Sequence, residues 1–206
     1  MAVTKQKRQI RGPRGGKIAS AIKPMLARET EVPFDDREWI FEIKWDGYRA
    51  ISEIAGKKVK LYSRNGNNFA MAYPLLVQEL EKIAVDAVLD GEVVVLNDSG
   101  NASFQLLQHY SENPGHPICY YVFDLLKIGK EDTTQLPLLE RKKLLKKLLP
   151  KSRIIRYSDH IAGKGIAFFK AARQKNLEGI MAKKADSTYA PGVRTGEWLK
   201  IKHHKS

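Results

Sequence analysis

Three apolar runs are crowded between Trp39 and Ser63, and the breaks between them leave room only for tight turns. Residues 39–44, 48–54 and 58–63 each read as a strand, and the interruption Ala55-Gly56-Lys57 fits a hairpin between the last two. That hairpin pair runs antiparallel, because a parallel pair needs a long crossover. Further strands are predicted over residues 87–90, 92–96, 118–124, 179–184 and 198–202, with a short one over 153–157.

Helical periodicity is confined to three stretches. Residues 73–84 carry Pro74 where a missing N–H costs nothing, and Leu76, Leu80 and Ile83 make a stripe. Residues 137–149 are stopped by Pro150. There Leu144, Leu145, Leu148 and Leu149 are expected to face the core, with Arg141, Lys142, Lys143, Lys146 and Lys147 outward. That basic face has two readings, ordinary solvation and DNA contact. Residues 165–175 form the third helix. Many short strands with few helices predict an α+β fold, two packed antiparallel sheets flanked by helices.

The formal net charge is +13, from 36 Lys+Arg against 23 Asp+Glu, and it is segregated along the chain. Residues 1–28 hold eight basic side chains and no acid, and residues 141–156 hold eight more. Such clustering favours a polyanionic partner. Residues 1–23 are too polar to bury much surface and read as a flexible basic arm or linker, with the globular domain over 24–206. Cys119 is the only cysteine, set in an apolar run, which reads as a buried thiol rather than a nucleophile and excludes an intrachain disulfide. With no apolar segment for secretion or membrane crossing, a cytoplasmic, nucleoid-associated setting is expected. His203 and His204 lack the further ligands a metal site needs.

The chemically informative segment is Glu42-Ile43-Lys44-Trp45-Asp46-Gly47-Tyr48-Arg49. A strand delivers Lys44 to a turn that Gly47 permits. A lysine amine attacks phosphorus only when neutral, so a catalytic Lys44 needs nearby cations or metal ions to favour proton loss. Taken alone, a lysine flanked by acids is as readily a surface ion pair.

Five later strings alter that balance. Lys-x-Asp-Gly-x-Arg at 44–49 resembles the first signature of the covalent nucleotidyltransferases: DNA ligases, RNA ligases and capping enzymes. Ser63-Arg64-Asn65-Gly66, Asp90-Gly91-Glu92, Tyr121-Val122-Phe123-Asp124-Leu125, Glu178-Gly179-Ile180-Met181-Ala182-Lys183 and Trp198-Leu199-Lys200-Ile201-Lys202 resemble the others, in order. Lys23-Pro24-Met25-Leu26-Ala27 and Pro33-Phe34-Asp35-Asp36 look like ATP-dependent DNA ligases, most of all the ligase module of bacterial end-joining ligase D. The resemblance implies an ATP-grasp-like ligase catalytic core.

It also implies roles. Lys44 would form a phosphoramide with AMP from ATP. Glu42 and Ile43 would meet the adenine, and Phe123 would stack on it unless it is plain core. Arg49 and Glu92 would hold the ribose and sugar-phosphate edge, with Lys183 also at the nucleotide. Glu92 and Glu178 would bind Mg2+ or Mn2+. Lys200 and Lys202, on one strand face, would neutralise the α-phosphate, and Arg64 would grip the 5′-phosphate of a nick. Tyr189, Gly192 and Arg194 fall in a polar loop that is either substrate-facing or a plain connector. Nicked or broken double-stranded DNA is the implied partner, with a nuclease or polymerase module, or an end-binding protein, beside it.

Ligases of this type carry an OB-fold domain after the last strand. The sequence stops at Ser206, so slow self-adenylation is expected, with sealing of a pre-adenylated nick better preserved. Two rivals remain at this stage: an RNA ligase or GTP-using capping enzyme, and a non-catalytic DNA-binding module of the same fold.

Overall fold

The computed structural model describes residue 18 and residues 21–112 and 115–203. Most of the predicted basic arm, and His204, lie outside these residues. Ile18, Ala21 and Ile22 already pack against buried residues, and Ile18 N–H donates to Gly66 O at 2.9 Å, so the fold reaches back before Pro24.

Two sheets face each other. The first has the order β1 (Leu26–Glu29), β11 (Arg194–Lys202), β10 (Gly179–Lys184), β2 (Trp39–Ile43), β9 (His160–Ala162). The second runs β4 (Lys58–Ser63), β3 (Tyr48–Ala55), β5 (Ala87–Val95), β6 (Ile118–Ile128), β7 (Glu131–Asp132), with β8 (Ile155–Tyr157) also paired to β6. The helices are α1 (Pro74–Leu80), α2 (Phe104–Gln108), α3 (Leu138–Leu148) and α4 (Gly165–Gln174). Pairing is antiparallel except for β1 with β11 and β6 with β8.

Alternation along the strands sorts the apolar residues into layers. Ile51, Tyr62, Phe123 and Trp198 lie between the sheets with Met25 and Tyr189. Phe41, Ile180, Ala182 and Ile201 point to the outer face of the first sheet, where α4 brings Ala172 and Phe168. Ala50, Ile54, Leu89 and Val93 point to the outer face of the second, covered by Leu76 and Leu80 of α1, Leu107 of α2 and Leu145 of α3.

Several sequence expectations need correction. The two strands predicted over 87–90 and 92–96 are one, because Gly91 sits inside the ladder between Ala50 and Val122. A Cβ at Gly91 would stand 2.5 Å from Tyr121 O, so glycine there permits close packing of β5 on β6 and does not break the strand. Gly47 is likewise needed for closeness: its Cβ would lie 2.1 Å from Val93 O. Helix α1 stops at Leu80, though Ile83 beyond it is buried as expected.

The largest correction concerns α3. Arg141 and Lys142, predicted to face outward, are 0% and 1% exposed. Each meets an acid remote in sequence: Arg141 pairs with Asp124 and Lys142 with Glu42. Lys143, Lys146 and Lys147 are exposed as predicted.

Candidate active site

The inner faces of the sheets meet in a cleft of about 260 Å³. Register sets Glu29, Lys200, Met181 and Glu42 in one row across β1, β11, β10 and β2. Residues two apart on a strand share a face, so Trp198, Lys202 and Lys183 join them. Lys44 follows the end of β2, its N–H donating to Gly179 O at 3.1 Å. From the second sheet come Arg49 and Glu92, cross-strand partners on β3 and β5, with Phe123 of β6. Ile43 and Arg64 also line the cleft. Glu178 does not, yet its carboxylate forms an ion pair with the Lys44 ammonium. The neighbouring Trp45 is fixed by stacking on Tyr121, with centroids 3.6 Å apart, and by donating Nε1–H to Ser158 Oγ at 3.1 Å.

One end of the cleft is held by a buried charge cluster. Glu42 accepts from Lys142 Nζ at 2.6 Å and from Lys183 Nζ at 2.8 Å, and Lys142 also donates to Ser158 O. Burial alone would raise the Glu42 carboxyl, but the charges of Lys142 and Lys183 hold it below the ordinary range. Burial pushes the Lys183 ammonium down against the pull of Glu42. Lys183 Nζ also stands 4.1 Å from the centroids of both Phe123 and Trp198, so polar and aromatic walls meet there. Phe123 is 8% exposed, packs in the inter-sheet core and presents its remaining surface to the cleft.

Arg49 is clamped rather than free. Its Nε and Nη2 donate to Asp90 Oδ1 and Oδ2 at 2.9 and 2.6 Å, and its guanidinium lies 5.1 Å from the Phe123 centroid. Burial works against the Arg49 charge, and Asp90 more than restores it. Asp90 also accepts the Tyr189 hydroxyl at 2.6 Å, so Tyr189 is a buried strut and not a loop residue facing substrate. Gly192 and Arg194, from the same segment, do line an adjoining groove with Lys23, Asn65 and Asn67. Arg64 and Arg194 border both depressions.

Lys200 and Lys202 reach the cleft as predicted, but their direct partner is Glu29, at 3.0 and 3.2 Å. Glu92 has no ion-pair partner among the described residues. Burial pushes its carboxyl up to about 8 against the attraction of Arg49 and Lys44. A desolvated carboxyl with no ion-pair partner suits a divalent cation, and Glu178 is near enough for its charge to act on Glu92. The described residues contain no group of three or more acidic, His or Cys ligands, so phosphate oxygens and water would supply the remaining positions.

Sequence reasoning missed Lys142, Met181, Trp198 as a cleft wall, and Glu29. Strand alternation from Lys183 to Met181 and from Lys200 to Trp198 could have found two of them. The partners of Glu42 and of the paired lysines lie on elements no local pattern connects.

Two facing sheets that present a strand-end lysine among cations and carboxylates form the core of a nucleotidyltransferase domain. The family model described as the ATP dependent DNA ligase domain matches residues 24–202, and this chain belongs to that family. It is 36% identical over 182 residues to the SPbeta prophage-derived DNA ligase-like protein LigB of Bacillus subtilis, covering 87% of this chain and 67% of that one. It is 34% identical over 185 residues to the multifunctional non-homologous end joining protein LigD of Mycolicibacterium smegmatis. That match covers 87% of this chain but only 23% of the relative, so this chain spans less than a quarter of that relative's length. The ligase domain from M. tuberculosis LigD superposes with a TM-score of 0.79 at 34% identity, over 88% of this chain and 60% of that one. A Chlorella virus DNA ligase-adenylate, 21% identical with a TM-score of 0.64, shares the fold. The chain is thus an ATP-dependent DNA ligase catalytic domain of the LigD and LigB type. No helix among the described residues is long and apolar enough to cross a membrane.

Proposed function

We propose that Lys44 carries AMP as a covalent intermediate and that the domain passes it to the 5′-phosphate of a DNA nick. The observation that carries this is the strand-end position of Lys44, ion-paired with Glu178 and lining the same cleft as Lys200 and Lys202. The Lys44 amine, once it has given up its proton, attacks the α-phosphorus of ATP. A nitrogen–phosphorus bond forms, the bond to the bridging oxygen breaks, and pyrophosphate leaves with the electron pair. Glu178, the ion-pair partner of Lys44, would receive the Lys44 proton. Lys200 and Lys202 offset the charge that builds on the phosphoryl oxygens. AMP then moves to the 5′-phosphate, and a 3′-hydroxyl displaces it to close the strand.

The base end is Glu42, Ile43 and Phe123, with the Glu42 carboxylate kept ionised to accept from the adenine amino group. Arg49 and Glu92 flank the sugar. Glu92 and Glu178 would hold Mg2+ or Mn2+, which supplies Lewis-acid charge at the phosphates. Arg64 and Arg194, where the cleft opens into the groove, suit the nick phosphate. In a longer protein the basic segment before residue 24 would join the domain to a nuclease or polymerase module, or to an end-binding protein. End-joining repair in the cytoplasm, at the nucleoid, is the setting this reading implies.

The test is intact-mass spectrometry before and after incubation with ATP and magnesium. A gain of one AMP, on the order of 330 Da and mapped to Lys44, is expected. If the gain is absent, and a pre-adenylated nick is also left unsealed, the enzymatic reading fails.

A further inference from the structure

Glu29 is the last residue of β1, an edge strand that no apolar pattern announces. Its position depends on an irregularity. Between Leu26 and Arg28 the register on β11 jumps from Arg194 to Leu199, which brings Glu29 directly opposite Lys200. Thr30 N–H donates to Lys200 O at 3.1 Å and fixes the strand end there. The carboxylate then divides its oxygens: Oε2 meets Lys200 Nζ at 3.0 Å and Oε1 meets Lys202 Nζ at 3.2 Å.

Two lysines held by two oxygens of one anion is also how they would hold a phosphate, since carboxylate and phosphate present anionic oxygens at similar spacing. Glu29 differs from the buried Glu42 in its freedom. Glu42 is 1% exposed, whereas the Glu29 side chain is 44% exposed and the chain bends at residues 31 and 32. It can leave the lysines without breaking any buried contact. The hydrogen bonds from Lys200 and then Lys202 hold its carboxyl below the ordinary range, so it is anionic at neutral pH, where the nucleotide phosphate is too.

We propose that Glu29 is an internal competitor for the nucleotide phosphate, occupying Lys200 and Lys202 until a phosphate group takes them. It lowers the affinity of the site for phosphate-bearing ligands without touching the base. This rests on the reading of the cleft as a nucleotide site. The alternative role, in which Glu29 organises the lysines for the phosphate, has the opposite sign.

Calorimetric titration of deadenylated protein and its Glu29→Gln variant with adenosine and with AMP separates them. Two partly exposed ion pairs set the scale. AMP is expected to bind the variant about fivefold tighter, with adenosine unchanged. Unchanged or weaker AMP binding in the variant, with adenosine still bound by both proteins, overturns the competitor and leaves the nucleotide site standing. Binding of neither ligand to either protein removes the nucleotide reading, and the competitor with it.

Discussion

Arg141 offers a sharp test of the buried charges behind the site. Its Nε and Nη2 donate to Asp124 at 2.7 and 2.9 Å, and Nη1 donates to the carbonyls of Leu136 and Ser187 at 2.6 and 2.8 Å. Both partners of the ion pair are 0% exposed. Replacing Arg141 with Met keeps much of the volume but removes all four donated bonds. Asp124 is left with the Leu125 N–H as its remaining hydrogen-bond donor, in a position water does not reach. Breaking one side of a buried pair costs about 3–5 kcal/mol, because the surviving charge is uncompensated. For a chain of this size that corresponds to a fall in Tm of roughly 6–20 °C. Urea unfolding of the parent, Arg141→Met and the double variant Asp124→Leu with Arg141→Met measures it. The double variant is expected to recover part of the loss, since it removes the orphaned carboxylate. A loss below about 1 kcal/mol in the single variant would mean the pair is solvated, as for surface pairs, and the buried assignment of α3 would be wrong. Equal losses in single and double variants would place the cost in packing rather than charge.

Three further outcomes are expected. Gly47→Ala drives a methyl toward the Val93 carbonyl, a backbone atom that cannot yield locally, so a loss of about 1–3 kcal/mol and weaker AMP loading are expected; unchanged stability would refute the steric role. Lys142→Met leaves Glu42 with Lys183 alone, and the preference for ATP over GTP in AMP or GMP loading is expected to fall while Lys142→Arg retains it; an unaltered ratio would remove Lys142 from base selection. Glu92 keeps its proton up to about 8 in the folded chain, against 4.5 for the free group. Between those values the folded state binds a proton that the unfolded state releases, so stability falls as pH rises. In metal-free buffer Glu92→Gln should therefore gain on the parent across that window, and a gap in Tm that does not change with pH would contradict this.

The site was legible where chemistry follows strand alternation. Lys200 and Lys202 share a face because Leu199 and Ile201 point the other way, and the structure brings both to the cleft with Lys44. Alternation cannot show which remote group answers a charge. Arg141 and Lys142 sat among basic neighbours on a helix and looked solvated, since nothing within one turn is an acid facing them. Their partners, Asp124 and Glu42, lie on strands of different sheets. Glycine misled in a related way. Gly91 has the residue type of a turn, but its neighbours in space, not in sequence, require the missing side chain. The strand β1 escaped notice because four residues, half of them exposed, carry too little pattern.

The placement of β11 bears on how the chain is made. This strand lies between β1 and β10, so it joins the first-formed strand to one of the last. A nascent chain that has not yet delivered residues 194–202 holds β1 with no sheet neighbour and β10 with an open edge. Such edges invite pairing with other chains, and closing contacts this distant in sequence is slow. Because β11 also carries Lys200 and Lys202, the same event that seals the sheet completes the cation pair. A ribosome-bound domain lacking those residues therefore has neither a finished fold nor the Lys200–Lys202 pair, and it gains both in a single step.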